Sequence, residues 1–278
     1  MSIAFELPPA PDALRILLLS WDELLRRPEL LQPGALSDEE RRRAQTLNHP
    51  DLRLRFIGLR NLLRILLGRS LGLPPRCVPI HVNVAGKPHL GPLGSAAGTN
   101  ATALAADSGC WHFSLAHDRS GAALAFAPRP VGVDRETRRQ VDCLALARRF
   151  FTPGEVRWLS GLAPTELLDG FLGLWTLKES LVKLQGSTLA GTLGRYTFIL
   201  AKSPPRCYLE GGLEPLPNVA FATWQGEGGE VVGVALEKHP ESATEVSRMA
   251  QSIPLVPDLQ GCAQPLSTLP FIVVESGP

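Results

Sequence analysis

Two short charged motifs interrupt apolar runs of this chain, and together they constrain its fold more than any other feature. The first motif occupies residues 131–136 with the sequence VGVDRE, and the second occupies residues 175–183 with WTLKESLVK. The first reads as a strand. Because side chains alternate along a strand, Asp134 and Glu136 are expected to point to the same face.

The second motif reads as a helix. Glu179 and Lys183 are four residues apart and therefore lie in one helical stripe. The surrounding residues are mostly apolar, so these charges need partners, because an unpaired buried charge is costly. If the end of the strand faces this stripe, Asp134, Glu136 and Glu179 converge with the Lys183 ammonium. A site built from carboxylate oxygens suits Mg²⁺.

Each motif also has an ordinary interpretation when taken alone. An Asp-x-Glu after a short strand is usually a solvated strand end or a helix cap. A Lys–Glu pair on an amphipathic helix is usually a surface ion pair that stabilises by a few tenths of a kcal/mol. Because the second motif is surrounded by apolar residues, we do not expect both ordinary interpretations to be true at the same time.

The spacing of these motifs resembles the 4′-phosphopantetheinyl transferases of the longer, two-lobed type that activates surfactin synthetase. That pattern is Gly-x-Asp-x-Glu, then roughly 40 residues, then Trp-x-x-Lys-Glu-[Ala/Ser]-x-x-x-Lys. The matching residues are Gly132, Asp134, Glu136, Trp175, Lys178, Glu179, Ser180 and Lys183. Three further marks agree in order: Gly86-Lys87-Pro88, Phe113-Ser-Leu-Ala-His117, and Phe150-Phe151 followed by Glu155. The resemblance covers about residues 37 to 236.

The chain departs from the family pattern at two places. It has Ala116-His117-Asp118 where the family usually has Ser-His-Ser. A hydroxyl that could bind a coenzyme A phosphate is therefore missing, and an inward-pointing Asp118 would repel one. Arg135 stands between the two carboxylates, where an apolar residue is common. Strand alternation predicts that Arg135 points to the opposite face and leaves the site undisturbed.

The resemblance implies a reaction in which the phosphopantetheine arm of coenzyme A is moved to a serine of an acyl or peptidyl carrier protein, with release of 3′,5′-ADP. It implies Mg²⁺ held by Asp134, Glu136 and Glu179. Glu179 is the candidate general base, directly or through a metal-bound water. Lys183 is expected to hold a phosphate oxygen.

The resemblance also implies a basic pocket for coenzyme A in the first half of the chain. The expected coenzyme A contacts are Arg55, Arg60, Lys87, His117, Lys178 and Lys183. Arg43 is a weaker candidate, and Lys178 has an alternative role on the partner surface. Arginines on amphipathic helices are also commonly solvated or paired with nearby acids, so this alternative stays open.

Carrier proteins generally present an acidic helix beside their reactive serine, so the docking surface should be apolar with a basic rim. Residues 137–150 carry Arg138, Arg139, Arg148 and Arg149 around a short apolar run. An ordinary solvated helix is the equal alternative. Two other functions remain open: a non-catalytic coenzyme A or carrier-protein binder, and a nucleic-acid-binding module. The formal net charge of +1 disfavours nucleic acid.

Composition and length restrict the remaining possibilities. A chain of 278 residues with 44% hydrophobic content accommodates one large or two medium domains. Its five cysteines show no Cys-x-x-Cys spacing, which is typical of a reduced intracellular protein without zinc or disulfides. The first apolar run is too short for a signal peptide or a membrane span, so we expect a cytoplasmic monomer.

Each half of the chain offers helices plus a few antiparallel strands, which predicts an α+β fold. The resemblance implies two similar lobes, each an antiparallel sheet packed with helices, with the active site between them. We assign residues 1–127 to a coenzyme A-binding lobe and 128–238 to a lobe carrying the metal and catalytic residues. The Pro-rich residues 239–278 are expected to be a poorly ordered extension. In the alternative, their last apolar run adds a strand to a sheet edge.

Overall fold

The computed structural model describes residues 14–92, 111–188, 193–200, 205–226 and 228–238, and the backbone of residues 271–274. The helices in these ranges are α1 (Trp21–Leu25), α2 (Asp38–Gln45), α3 (Pro50–Leu71), α4 (Cys143–Phe150), α5 (Pro153–Ser160) and α6 (Pro164–Gln185). The strands are β1 (Leu14–Ser20), β2 (Ile80–Val82), β3 (Pro88–Leu90), β4 (His112–His117), β5 (Gly121–Ala127), β6 (Val131–Thr137), β7 (Tyr196–Ile199), β8 (Arg206–Leu209), β9 (Val219–Gln225), β10 (Glu230–Glu237) and β11 (Phe271–Val274).

The first lobe is built on a four-stranded antiparallel sheet in the order β11-β1-β5-β4. Side chains alternate along β1, so Leu17 and Leu19 face helix α3 while Leu14 and Ile16 face the other way. Helix α3 starts with proline at its first position, where the missing N–H costs nothing. Its long apolar face closes the core of this lobe.

The second lobe is a three-stranded antiparallel sheet in the order β6-β10-β9, covered by helix α6. Two glycines let this helix lie directly on the sheet. A Cβ on Gly132 would stand 1.9 Å from the Ser180 carbonyl oxygen, and one on Gly233 would stand 2.4 Å from the Thr176 carbonyl carbon. The glycine of the Gly-x-Asp-x-Glu motif is thus required by the close approach of α6 to β6.

The two sheets pack against each other through small and β-branched residues. The shared core contains Leu14, Ile16, Ala116, Ala123, Ala125 and Ala127 from the first sheet and Val131, Val133, Ala220, Ala222, Val232, Val234 and Leu236 from the second. A hydrogen bond from the Val133 amide to Ser114 Oγ (3.1 Å) crosses between the sheets. Strand β6 therefore has one face against the first lobe and one face against α6.

The structure confirms the predicted α+β fold with two lobes of antiparallel sheet and helix. His117 is the last residue of β4. One prediction needs correction. Residues 271–274 form β11 beside β1, so the strand alternative describes this segment, and not the poorly ordered extension. The rest of the extension, residues 239–270 and 275–278, lies outside the described residues. No helix in the described ranges is long and apolar enough to cross a membrane.

Candidate active site

Strand β6 carries the first motif with the predicted alternation. Gly132, Asp134 and Glu136 lie on the face that meets α6, because Gly132 touches the backbone of that helix and Asp134 bonds a side chain from it. Arg135 points to the opposite face, toward the first lobe, as the sequence predicted. Strand β6 pairs with β10 along its whole length, which fixes this orientation.

Asp134 and Lys183 form the ion pair at the centre of the site. Lys183 Nζ donates to Asp134 Oδ1 at 2.7 Å, and the two side chains are 26% and 9% exposed. Asp134 Oδ2 is buried and has no hydrogen-bond partner. Burial raises the pKa of Asp134, and the Lys183 ammonium opposes that rise. One carboxylate oxygen in this site thus lacks a donor or a cation.

Glu136 and Glu179 complete a group of three mutually repelling carboxyls. Burial is the main cause that raises the pKa of Glu136 to about 7, followed by the negative charge of Asp134. Burial and then Asp134 likewise raise the pKa of Glu179 to about 7, and Glu136 adds to the effect. The Lys183 ammonium opposes these rises, as Arg139 does at Glu136, but the pKa values of both glutamates stay raised.

A divalent cation with oxygen ligands fits this excess of negative charge and the unpaired Asp134 oxygen. Within the described ranges, however, no three His, Cys, Asp or Glu side chains already stand together as a metal site. Lys183 instead occupies one oxygen of Asp134. These residues therefore fit a divalent cation through their oxygen donors and their excess of negative charge, and not through a preformed coordination shell.

A cavity of about 400 Å³ opens in the first lobe beside these carboxylates. Its lining brings together four of the predicted coenzyme A residues, although they come from three different elements. The lining residues are Trp21, Arg43, Leu47, Leu52, Arg55, Phe56, Leu59, Arg60, Leu115, His117 and Asp118. The cavity is thus an apolar cleft with a cationic rim, which suits a nucleotide bearing phosphates.

Trp21 is a part of this cavity that the sequence did not indicate. The Arg55 guanidinium lies 5.2 Å from the centre of the Trp21 ring, and the indole N–H donates to the Asp118 carbonyl at 2.9 Å. The Trp21 and His117 rings lie 6.2 Å apart. No local signal marks Trp21, because its partners Arg55, His117 and Asp118 all come from other elements of the chain.

His117 lines the cavity next to Asp118, whose carboxylate accepts from Thr137 of β6. Burial lowers the pKa of this imidazole, and the charges of Lys183 and then Arg60 lower it further. The neutral ring is therefore favoured in the absence of a ligand. The charges of both Lys183 and Arg60 thus act on His117.

Lys178 has a different position from the predicted one. Its ammonium is 1% exposed and donates to Glu155 Oε2 at 2.8 Å and to the carbonyls of Leu193 and Tyr196, both at 2.6 Å. The assignment of Lys178 to a phosphate or to the partner surface is wrong for this structure, because all its donors are directed into the second lobe.

Lys87 also lies outside the cavity. Its ammonium is 3.4 Å from the carbonyls of Val131 and Leu184, so it links the β2–β3 hairpin to the second lobe near the end of α6. Burial lowers the pKa of this ammonium. Lys87 therefore lies beside Leu184, the residue that follows Lys183, and does not line the cavity with Arg55 and Arg60.

Asp118 borders the cavity, but its carboxylate is engaged elsewhere. Oδ1 accepts from the Ser120 amide and hydroxyl, both at 2.8 Å, and from the Gly121 amide at 3.0 Å. Oδ2 accepts from the Thr137 hydroxyl. The Asp118 carboxylate, which would repel a phosphate if it pointed inward, is instead bound by donors of the protein.

The arginines of the predicted docking segment separate into two groups. Arg138 is paired with Asp169 at 2.6 Å, while Arg139 is exposed just before α4. Arg148 and Arg149 are exposed in the last turn of α4. Three of the four arginines are therefore exposed, and the Arg139 charge acts on Glu136.

Comparisons with known proteins agree with this site. Residues 130–225 match the family described as the 4′-phosphopantetheinyl transferase superfamily. The 4′-phosphopantetheinyl transferase HetI from a Nostoc species is 34% identical over 194 residues, covering 66% of this chain and 76% of that protein. A 4′-phosphopantetheinyl transferase from Bacillus subtilis is 26% identical over 59% of this chain and 66% of its own length. The Bacillus subtilis enzyme Sfp is 30% identical over 36% of this chain and 48% of its own length. Motifs, fold and these similarities converge: the chain belongs to the 4′-phosphopantetheinyl transferase superfamily and is an enzyme of that family.

Proposed function

We propose that the protein transfers the 4′-phosphopantetheine group of coenzyme A to a serine of an acyl or peptidyl carrier protein, with release of 3′,5′-ADP. The observation that carries this proposal is the buried group of Asp134, Glu136, Glu179 and Lys183 beside an arginine-rimmed cavity. Phosphoryl transfer needs charge neutralisation, in-line positioning and removal of the hydroxyl proton. The two halves of this site divide those tasks.

The second lobe, residues 128–238 in our assignment, supplies the chemistry. Asp134, Glu136 and Glu179 would hold Mg²⁺, which neutralises the pyrophosphate and the leaving group when bound. Glu179 is the proposed acceptor of the proton of the attacking serine hydroxyl, directly or through a water. Lys183 donates to a phosphate oxygen once Asp134 has another cation to bind.

The first lobe, residues 1–127 in our assignment, binds coenzyme A. Arg55, Arg60 and Arg43 place cationic groups around the cavity for the phosphates of its nucleotide end. His117 joins this rim as a phosphate contact, where a bound phosphate would favour its protonated form. Lys87 faces the second lobe instead, so its contact with coenzyme A requires that its ammonium leave two backbone carbonyls.

A transfer assay tests the proposal. Incubation of the protein with coenzyme A, Mg²⁺ and apo carrier proteins from several synthase classes should add the mass of phosphopantetheine to the carrier and yield 3′,5′-ADP. Asp134→Asn and Glu179→Gln should lower kcat by ~10²-fold or more while changing coenzyme A affinity far less. Glu166→Gln, an exposed carboxylate at the start of the same helix, is the matched control and should keep full activity.

The outcomes separate the alternatives. Coenzyme A binding without any mass shift or 3′,5′-ADP identifies a non-catalytic binder. Salt-sensitive binding of nucleic acid, with no coenzyme A binding, identifies the nucleic-acid module. A Glu179→Gln variant with near-full kcat removes the proposed base.

The carrier protein, with an acidic helix beside its serine, is proposed to dock on α4. Its exposed Arg148 and Arg149 belong to the segment that follows Glu136 in the chain. Charge reversal of both residues should raise KM for the carrier protein and leave KM for coenzyme A nearly unchanged. Reversal of the exposed Arg157 on the neighbouring helix α5 is the control. Equal losses for both substrates would place the docking surface elsewhere.

A further inference from the structure

The two departures from the family pattern, Asp118 and Arg135, meet in the structure. They belong to different lobes: Asp118 begins the turn after β4, and Arg135 lies in the middle of β6. Arg135 Nε is 3.9 Å from Asp118 Oδ2, and the two side chains are only 6% and 7% exposed. Two substitutions that look independent in the sequence therefore form one buried charge pair between the lobes.

Hydrogen bonds give this pair a defined geometry. Arg135 Nη1 donates to the carbonyls of Leu19 (3.0 Å) and Ala122 (3.3 Å), and Nη2 donates to Ser120 Oγ (3.0 Å). A Cβ at Gly121 would stand 2.1 Å from Arg135 Nη1, so only glycine leaves room for the guanidinium there. The guanidinium is thus seated in a site shaped by the first lobe.

The Asp118 carboxylate is also held in place by several contacts. Burial by itself raises the pKa of Asp118, but the hydrogen bond from Thr137 and the charge of Arg135 outweigh it and leave the pKa lowered. The Ser120 and Thr137 hydroxyls also contact each other. Asp118 and Ser120 come from the first lobe, while Arg135 and Thr137 come from the second, so the contacts of Arg135 and Thr137 with this cluster cross between the lobes.

The position of the cluster connects it to the reaction. Asp118 follows His117, which borders the proposed coenzyme A cavity, and Arg135 stands between Asp134 and Glu136. Because β6 is a rigid strand, holding Arg135 also holds the carboxylates on its other face. A misplacement of about 1 Å between reacting groups is enough to cost ~10²-fold in rate.

We propose that Asp118 and Arg135 are a mutually dependent pair of positioning residues that sets the distance between the coenzyme A cavity and the carboxylates of β6. This inference rests on the proposed transfer reaction. The Asp118 carboxylate and the Arg135 guanidinium are both occupied by contacts within the protein. The pair forms one ionic connection between the lobes at two positions where the family usually has Ser and an apolar residue.

A double-mutant cycle tests the pair with Asp118→Ser, Arg135→Val and their combination. Each single variant leaves one buried charge without its partner, so kcat should fall by ~10-fold, whereas the dissociation constant for coenzyme A should change less than twofold. The double variant should recover most of kcat. A purely structural role would lower the melting temperature without this separation of kcat from coenzyme A binding. Arg157→Val, an exposed arginine on α5, is the control.

Conservative variants keep the test decisive where a buried substitution prevents folding. Asp118→Asn retains an oxygen for the two backbone amides of the turn, and Arg135→Lys retains the charge while losing the planar fork. Both should fold and still show the loss in kcat. Unchanged kcat in these folded variants, or a double variant no better than the singles, overturns the inference and leaves the proposed function intact. A wild-type protein that transfers no phosphopantetheine overturns the proposed function, and this inference with it.

Discussion

Replacement of Lys178 by methionine should destabilise the protein strongly without directly affecting substrate binding. The Lys178 ammonium is fully enclosed, with Glu155 at 2.8 Å and two backbone carbonyls at 2.6 Å, and it lies 5.1 Å from the centre of the Phe151 ring. Methionine fills a similar volume, so little cavity is created. The loss comes from the charge and its hydrogen bonds.

The expected magnitude follows from what stays behind. Removing one partner of a buried ion pair typically costs 3–5 kcal/mol. Glu155 keeps three donors in the Lys178→Met variant: the Thr152 amide (2.9 Å), the Thr152 hydroxyl (3.1 Å) and the Phe198 amide (2.8 Å). We therefore expect a value near the lower end, about 3 kcal/mol in the free energy of unfolding. The double variant Glu155→Gln with Lys178→Met should cost less than the sum of the single variants by ~1–2 kcal/mol.

Urea denaturation measures both values by linear extrapolation. Glu166→Gln, an exposed acid near the start of α6, should change stability by less than ~1 kcal/mol and serves as the control. The reasoning is refuted if Lys178→Met keeps wild-type stability. It is also refuted if the folded variant raises KM for coenzyme A tenfold, since that result would bring Lys178 into contact with substrate.

Three further predictions concern the fold and the cavity. Gly132→Ala should destabilise the protein by ~2 kcal/mol or more, measured by urea denaturation, because its Cβ would stand 1.9 Å from the Ser180 carbonyl oxygen; wild-type stability would contradict the packing of α6 on β6. Arg60→Gln should weaken coenzyme A binding ~10-fold or more by calorimetry while leaving the melting temperature nearly unchanged, because it removes a charge from the cavity rim; unaltered affinity would move the nucleotide elsewhere. Cys77 is exposed and should react rapidly with maleimide, whereas Cys207, buried and with a raised pKa, should react only after unfolding, as peptide mass mapping would show; early labelling of Cys207 would contradict its burial.

Local periodicity predicted the elements that carry the chemistry. The alternation of residues 131–136 placed Asp134 and Arg135 on opposite faces, and the structure agrees because a paired strand permits no other arrangement. Residues 175–183 were also predicted to be helical, and they lie within α6. Such features depend on neighbours within a few residues.

Lys178 shows where this reasoning stops. Spacing along the helix separates Lys178 from the stripe that holds Glu179 and Lys183, but it does not say what covers that side. Glu155, its partner, comes from α5, and the carbonyls it binds belong to residues 193 and 196. The sequence therefore assigned Lys178 to coenzyme A or to the partner surface, whereas in the structure its charge is paired with Glu155.

By itself, the sequence determined the fold class, the family motifs and the faces on which Asp134, Glu136, Glu179 and Lys183 lie, because each follows from backbone geometry within one element. Tertiary structure alone decided that Trp21 borders the cavity, that Lys178 is enclosed, and that Asp118 and Arg135 pair across the lobes. These contacts join segments far apart in the chain, and their geometry depends on how whole sheets and helices pack. Periodicity specifies which side chains share a face, whereas packing specifies what that face meets.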